Sequence, residues 1–251
     1  MTGAPTVEAV TFDFWNTLVH PDDDATRRAR RLAVQAVLGD FGHQVDDDVL
    51  DATFRQSFEA HHASWIANRQ FTSRHGGELI VSLLELDLDD DQAEIVIGAY
   101  GNAAADLDMR LTDHVADTLA VLHERGVRLG IVCDVGLTPS TVLRGWLDDH
   151  GVLDLFDHWS FSDDVGWYKP APEIFEHALA GLGVAAARAA HVGDLRRTDV
   201  GGAQAIGMTA VRYRGAYDDA AAADPLDDAP VPEGDYVIDD HAELPGVLGL
   251  V

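Results

Sequence analysis

The chain has 251 residues, enough for one large domain or one domain carrying a sizeable insertion, and enough to bury a core without disulfide or metal staples. Apolar residues at 47% and charged residues at 24% exclude a disordered or fibrous chain. With 17 basic and 44 acidic side chains the net charge is −27, a field that repels phosphate backbones and anionic lipid heads and argues against nucleic acid and membrane surfaces as partners.

Residues 7–12 form the first apolar run, short, β-branched and followed by an acidic residue, as in a buried strand of a parallel sheet. Chemistry then belongs at its carboxyl end. Residues 24–41, 46–71, 73–86 and 89–106 carry helical periodicity, each starting on Asp or Ser as an N-cap, with no convincing strand between them. Residues 21–106 therefore read as an all-helical insertion, and residues 1–20 with 107–251 as the body that carries it.

Beyond the insertion, helices are expected over 112–125, 139–150, 171–183 and 198–206. Strands are expected over 127–133, 158–161, 189–192 and 208–213, with a last one at 236–238 before a short terminal helix. Repeated strand–helix units of this length predict an α/β fold with a parallel sheet and helices on both faces. Residues 215–235, rich in Ala, Asp and Pro, read as a mobile loop.

The basic residues comprise sixteen arginines and one lysine, Lys169, which sets that position apart from bulk composition. The one cysteine, Cys133, excludes an intrachain disulfide framework and a multi-cysteine zinc site and fits a reducing compartment. Residues 1–10 lack a basic segment and no stretch approaches the roughly 18 apolar residues of a membrane span. The expectation is a cytoplasmic protein.

Three strand ends carry the chemistry. Asp13-Phe14-Trp15-Asn16-Thr17-Leu18 follows the first strand, Lys169-Pro170 precedes the helix bearing Phe175, and Gly193-Asp194 with Thr198-Asp199 follows a later strand. A carboxylate on a turn at a strand's carboxyl end can act as a nucleophile, forming an ester that water later hydrolyses. Asp13 is that candidate; the plain alternative is a loop aspartate in a chain with 34 of them. Asp194 and Asp199, across a loop into a helix, bring two carboxylates near one point, a hard-oxygen set suited to Mg²⁺. For Asp199 a simple N-cap is the rival reading.

The order and spacing of these segments resemble the haloacid dehalogenase-like hydrolase superfamily, in the subfamily with a helical cap between the first and second motifs, over essentially the whole chain. The resemblance implies a Rossmann-like doubly wound parallel sheet core with an inserted all-helical cap domain. It implies Asp13 as nucleophile and a Mg²⁺ held by Asp13, the main-chain carbonyl of Trp15 and Asp194, with Asp199 as a near or outer ligand. Thr17 closes the first catalytic motif, and Lys169 matches the lysine that offsets negative charge on the nucleophile and the transferring group.

Two positions depart from the pattern. In phosphatase members the residue two after the nucleophile is a second Asp that protonates the leaving group; here it is Trp15, and indole cannot do so. The second motif usually ends in Ser or Thr; here it is Cys133, a weak donor, followed by Asp134, which reads either as a substitute base or as a turn residue before Gly136. In the insertion, His61, His62, Trp65, Arg69, Arg74 and His75 are substrate-choosing candidates against the plainer reading of solvated helix faces, and His20 lies on the hinge into it.

The leading reading is a Mg²⁺-dependent phosphohydrolase acting on a small anionic metabolite through an aspartyl-phosphate. It is expected to favour good leaving groups because of Trp15. The second is a metal-independent 2-haloacid dehalogenase, where an aromatic residue suits position 15 but Gly193-Asp194 does not fit. The third is a binding protein on a weakened hydrolase frame. The sequence carries no signal of oligomeric state.

Overall fold

The computed structural model describes residues 7–221 and 223–250. Strands β1 (Ala9–Phe12), β2 (Arg128–Cys133), β3 (His158–Phe161), β4 (Ala189–Gly193), β5 (Thr209–Tyr213) and β6 (Tyr236–Ile238) form one parallel sheet in the order β3-β2-β1-β4-β5-β6. β1 and β4 are buried along their whole length, which is why they read as apolar runs, broken only by Thr11 and His191, rather than as alternating ones. Ala9 pairs with Arg128 on one side and Ala189 on the other. The strand order therefore reverses between β1 and β4, and the carboxyl ends of those two strands flank the crevice where such sheets bind ligands.

Helix α5 (Val115–Glu124) packs on β2, and α8 (Pro172–Leu182) on β2 and β3. α8 buries Ile174, Phe175, Ala178, Leu179 and Leu182 against Ala9, Val132, Ala189 and Ala210. Short helices α7 (Ser162–Val165), α9 (Gly201–Ala205) and α10 (Leu244–Val247) complete this body with the end of α6 (Ser140–Asp149). The helix expected over 198–206 begins instead as a π turn, Arg196–Val200, and only its last part, α9, is α-helical. The stretch 215–235 has no helix or strand among its described residues but is fastened. Arg196 donates to the carbonyls of Ala221, Val231 and Pro232, and Arg212 donates to Glu233 and the Asp219 carbonyl.

The second compact unit holds α1 (Asp23–Asp40), α2 (Asp47–Ile66), α3 (Ser73–Leu84) and α4 (Asp90–Asn102). Its core joins Val34, Leu38, Leu50, Phe54, Ile80, Val96 and Tyr100. Asp22 caps α1 by accepting the Ala25 N–H, and Asp89 and Gln92 form a reciprocal capping box on α4. α2 stops at Ile66, short of the expected 71, where Asn68 takes a left-handed conformation with φ 51°.

The units are Asp22–Asp108 with Val135–Trp146, and Met1–Pro21, Met109–Asp134 and Leu147–Val251. Residues 135–146, which the sequence assigned to the sheet-bearing body, thus cluster with the helices. Arg30 reaches the Leu137 carbonyl at 2.8 Å and Thr138 Oγ1 at 2.9 Å, and Trp146 Nε1 donates to the Ala104 carbonyl. Periodicity reports that a segment is helical, not which body it packs against.

Candidate active site

Asp13 ends β1, its N–H donating to the Val192 carbonyl of β4 at 2.8 Å. The turn after it closes on one acceptor: the Phe14 carbonyl takes the N–H groups of Leu18 at 2.9 Å and Val19 at 3.0 Å. Asn16 sits at φ 56°, a left-handed position that Asn tolerates better than most residues. Trp15 is half-buried, bridges to Val19 and meets the Phe14 ring edge-on at 5.2 Å. Thr17 is buried with its hydroxyl 3.5 Å from Asp13 Oδ2. Its carbonyl accepts from Thr112 Oγ1 and His241 Nε2.

Lys169 is 2% exposed and its ammonium donates to Asp13 Oδ1 and, at 2.7 Å, to Asp199 Oδ1. Its own N–H donates to Asp134 Oδ1 at 2.9 Å, so Asp134 holds the lysine's backbone. Asp199 is fully engaged: Oδ1 also accepts from His191 Nε2 at 3.0 Å, and Oδ2 from the Leu195 N–H at 3.0 Å. Its side chain thus turns back to a residue before it, the opposite of an N-cap. Gly193 makes the approach possible, since a Cβ there would lie 2.3 Å from Asp199 Cγ. Cys133, wholly buried at the end of β2, is kept as a neutral thiol because burial and the nearby Asp13 raise its pKa well above the ordinary value.

Asp13, Asp194 and Asp199 are all buried, with carboxylate oxygens within 4.8 Å of one another, the one such group among the described residues. Burial raises the Asp13 carboxyl to about 7, Lys169 pulling it down and Asp199 pushing it up. Burial and then Asp13 push Asp194 well above the carboxylate range. Asp199 goes the other way: burial opposes its ionisation, but Lys169 and His191 hold it at about 2. Two buried carboxyls that resist ionisation beside a third that is ionised form a hard-oxygen set short of positive charge, and a divalent cation fits that deficit. Asp199 already takes three donors, at 2.7, 3.0 and 3.0 Å, whereas Asp13 takes the ammonium on Oδ1 and only a long 3.5 Å contact on Oδ2, so Asp13 and Asp194 are the readier ligands.

The body with the sheet thus brings together Asp13, Thr17, Cys133, Asp134, Lys169, Asp194 and Asp199, with Trp15 on the same turn. His20 is outside this network; its N–H donates to the Arg110 carbonyl. In the helical unit, His75 Nδ1 accepts the Thr72 N–H as a cap for α3, and Arg74 pairs with Glu78 and Glu94, so both have structural employment. His62 lies parallel to Phe58 and tilted to Trp65, His61 meets Phe71 edge-on, and Arg69 is exposed just beyond α2. His191, Thr11 and the Leu195 N–H are members that sequence reasoning missed. The available signal was a histidine inside an otherwise apolar buried strand, a place where a polar ring must have partners.

A family model described as haloacid dehalogenase-like hydrolase matches residues 7–207. A glyceraldehyde 3-phosphate phosphatase from Methanopyrus kandleri is 30% identical over 248 residues, 96% of this chain and 97% of the relative. A ribulose-1,5-bisphosphate 5-phosphatase from Halopiger xanaduensis is 27% identical over 244 residues, 94% of this chain and 97% of the relative. Among solved structures, an HAD phosphatase from Thermococcus onnurineus superposes with a TM-score of 0.63 at 26% identity, covering 97% of this chain and 98% of its own.

Proposed function

Because the chain belongs to the haloacid dehalogenase-like hydrolase family, we propose that it is a Mg²⁺-dependent phosphohydrolase acting on a small phosphorylated metabolite through an aspartyl-phosphate on Asp13. The observation that carries this reading is the buried contact of the one lysine with both Asp13 and Asp199 where the strand order reverses. The phosphatase names of the relatives support the substrate class.

An Asp13 oxygen attacks phosphorus, and the bond from phosphorus to the leaving-group oxygen breaks with its electron pair on that oxygen. Water then cleaves the acyl phosphate, releasing inorganic phosphate and restoring the carboxylate. Lys169 holds Oδ1, which leaves Oδ2, beside the Thr17 hydroxyl, as the attacking atom. The same ammonium is placed to offset charge that builds in the transition state. Asp13, Asp194 and the Trp15 main-chain carbonyl would hold Mg²⁺, which when bound supplies charge neutralisation at the transferring group. Asp199 and Asp134 keep Lys169 in place, and Cys133 lines the site as a neutral thiol. The helical unit is assigned the part of a substrate-selecting cap, and the cytoplasm the part of its compartment.

A haloacid dehalogenase is the second reading, favoured by Trp15 because halide leaves without a proton. A panel of phosphate esters and 2-haloacids, with and without Mg²⁺, separates the two. The expected result is Mg²⁺-dependent phosphate release by the parent and none by Asp13→Asn, whose circular dichroism stays native. Halide release indifferent to Mg²⁺ would overturn the proposal.

A further inference from the structure

We propose that His191 is a positioning residue of this site: through one N–H it fixes the Asp199 carboxylate as the support of Lys169 and stops it turning toward Asp13 and Asp194. The inference rests on the reading of Asp13 as nucleophile.

His191 lies in β4, whose other members are Ala189, Ala190, Val192 and Gly193, and it is 1% exposed. A ring so buried is costly unless its nitrogens are bonded, and both are: Nδ1 lies 2.9 Å from Thr11 Oγ1 and Nε2 lies 3.0 Å from Asp199 Oδ1. An ionised carboxylate only accepts, so the hydrogen between His191 and Asp199 sits on Nε2. Burial favours the neutral ring, so Nδ1 is then the bare nitrogen, and the Thr11 hydroxyl, 3.4 Å from the Ala190 carbonyl and 2.9 Å from Nδ1, turns its hydrogen to the nearer acceptor. The ring plane is fixed as well. Phe175 meets it edge-on at 5.1 Å, and Phe175 is in turn pressed by Gly202, where a Cβ would lie 2.5 Å from the Phe175 ring.

On Asp199, the donors from His191 and Lys169 converge on Oδ1 while the Leu195 N–H takes Oδ2, so three donors set the carboxylate plane. Without the His191 hydrogen, Oδ1 is left with an ammonium that Asp13 also holds. Gly193 carries no side chain to keep the carboxylate from rotating. The consequence is a lysine no longer aimed at the nucleophile, and a third carboxylate free to join the cation site.

Two variants test this. His191→Gln keeps an N–H donor at similar reach, whereas His191→Leu keeps bulk without a donor. With p-nitrophenyl phosphate and saturating Mg²⁺, the Leu variant should lose about 10-fold or more in kcat with little change in KM, and the Gln variant should recover most of the loss. Metal-free Leu protein should bind Mn²⁺, followed by its paramagnetic resonance, about 10-fold more tightly than the parent, with Gln near the parent. Imidazole ¹⁵N spectra of the parent, assigned by the signal lost in the Gln variant, should show hydrogen on Nε2 and a bare Nδ1. A hydrogen on Nδ1 alone, a Leu variant matching the parent in kcat and Mn²⁺ affinity, or equal losses in both variants would overturn the assignment. A parent inactive on phosphate esters would instead count against the phosphatase reading, because the nitrogen spectra and Mn²⁺ binding need no turnover.

Discussion

In the proposed mechanism Trp15, two residues after Asp13, stands where a leaving-group acid is missing, and its half-buried ring is braced on Phe14. A positioned general acid contributes typically about 10²–10⁴-fold, so alkyl phosphates, whose alkoxides need a proton, should suffer most from its absence. Acyl and acidic aryl phosphates should be the better substrates. Trp15→Asp should raise kcat/KM on alkyl esters by about 10-fold or more and leave aryl esters little changed, measured over a series of graded leaving-group pKa. A flat series in the parent would mean that Asp134 or His20 delivers the proton, although Asp134 already accepts the Lys169 N–H. Asp13, Lys169 and Asp194 were legible in the sequence because they end strands or stand alone in composition. His191 was not, because a hydrogen bond from β4 to the turn after it has no sequence spacing of its own, and the Leu195 N–H was not, because a main-chain donor leaves no mark on residue type.

At the level of elements, the π turn Arg196–Val200 does two jobs. It swings Asp199 back to the Leu195 N–H, and it presents Arg196 to three carbonyls of the long connection before β6. Arg196→Ala should therefore release that connection: limited proteolysis within 215–235 should speed up by about 10-fold or more, the equivalent of about 1–3 kcal/mol of lost hydrogen bonding. An unchanged digestion rate would show that Arg212 suffices. The composition of this stretch predicted a loop, and it is one. What composition did not reveal was the fastening, since both arginines lie outside the stretch. The π turn was equally hidden, because Gly201 and Gly202 read as part of a continuing helix and an Asp at this place reads as readily as an N-cap as it does as a side chain bonding four residues back.

Over the whole molecule, the alternation of strand and helix gave the parallel sheet its legibility, while the grouping of residues 135–146 with the helices follows from contacts such as Arg30 with Leu137 that join distant segments. Acid stability is also a property of the whole. His241 is wholly buried, donates from Nε2 to the Thr17 carbonyl, and stacks on Tyr213 at 4.1 Å. Burial lowers its pKa from 6.5 to about 4, with the Thr17 carbonyl and Asp240 opposing. As pH falls the unfolded chain takes up this proton first, so the folded state loses stability from 6.5 downward and the loss is complete near 4. His241→Gln keeps a donor but does not titrate. The stability of the parent relative to this variant, from urea unfolding, should fall by about 2 kcal/mol between about pH 7.5 and about pH 5. A pH-independent difference would show that the imidazole does not titrate on unfolding.

The buried lysine has a practical consequence. With one side-chain amine in the sequence and that amine 2% exposed between two carboxylates, acylating reagents find no lysine to modify in the folded protein. Each acyl group that mass spectrometry finds on Lys169 then records an excursion in which the ammonium left Asp13 and Asp199. The accumulation of that label, followed with and without Mg²⁺ or a substrate analogue, measures how often the buried ion pairs of Lys169 part and what keeps them together.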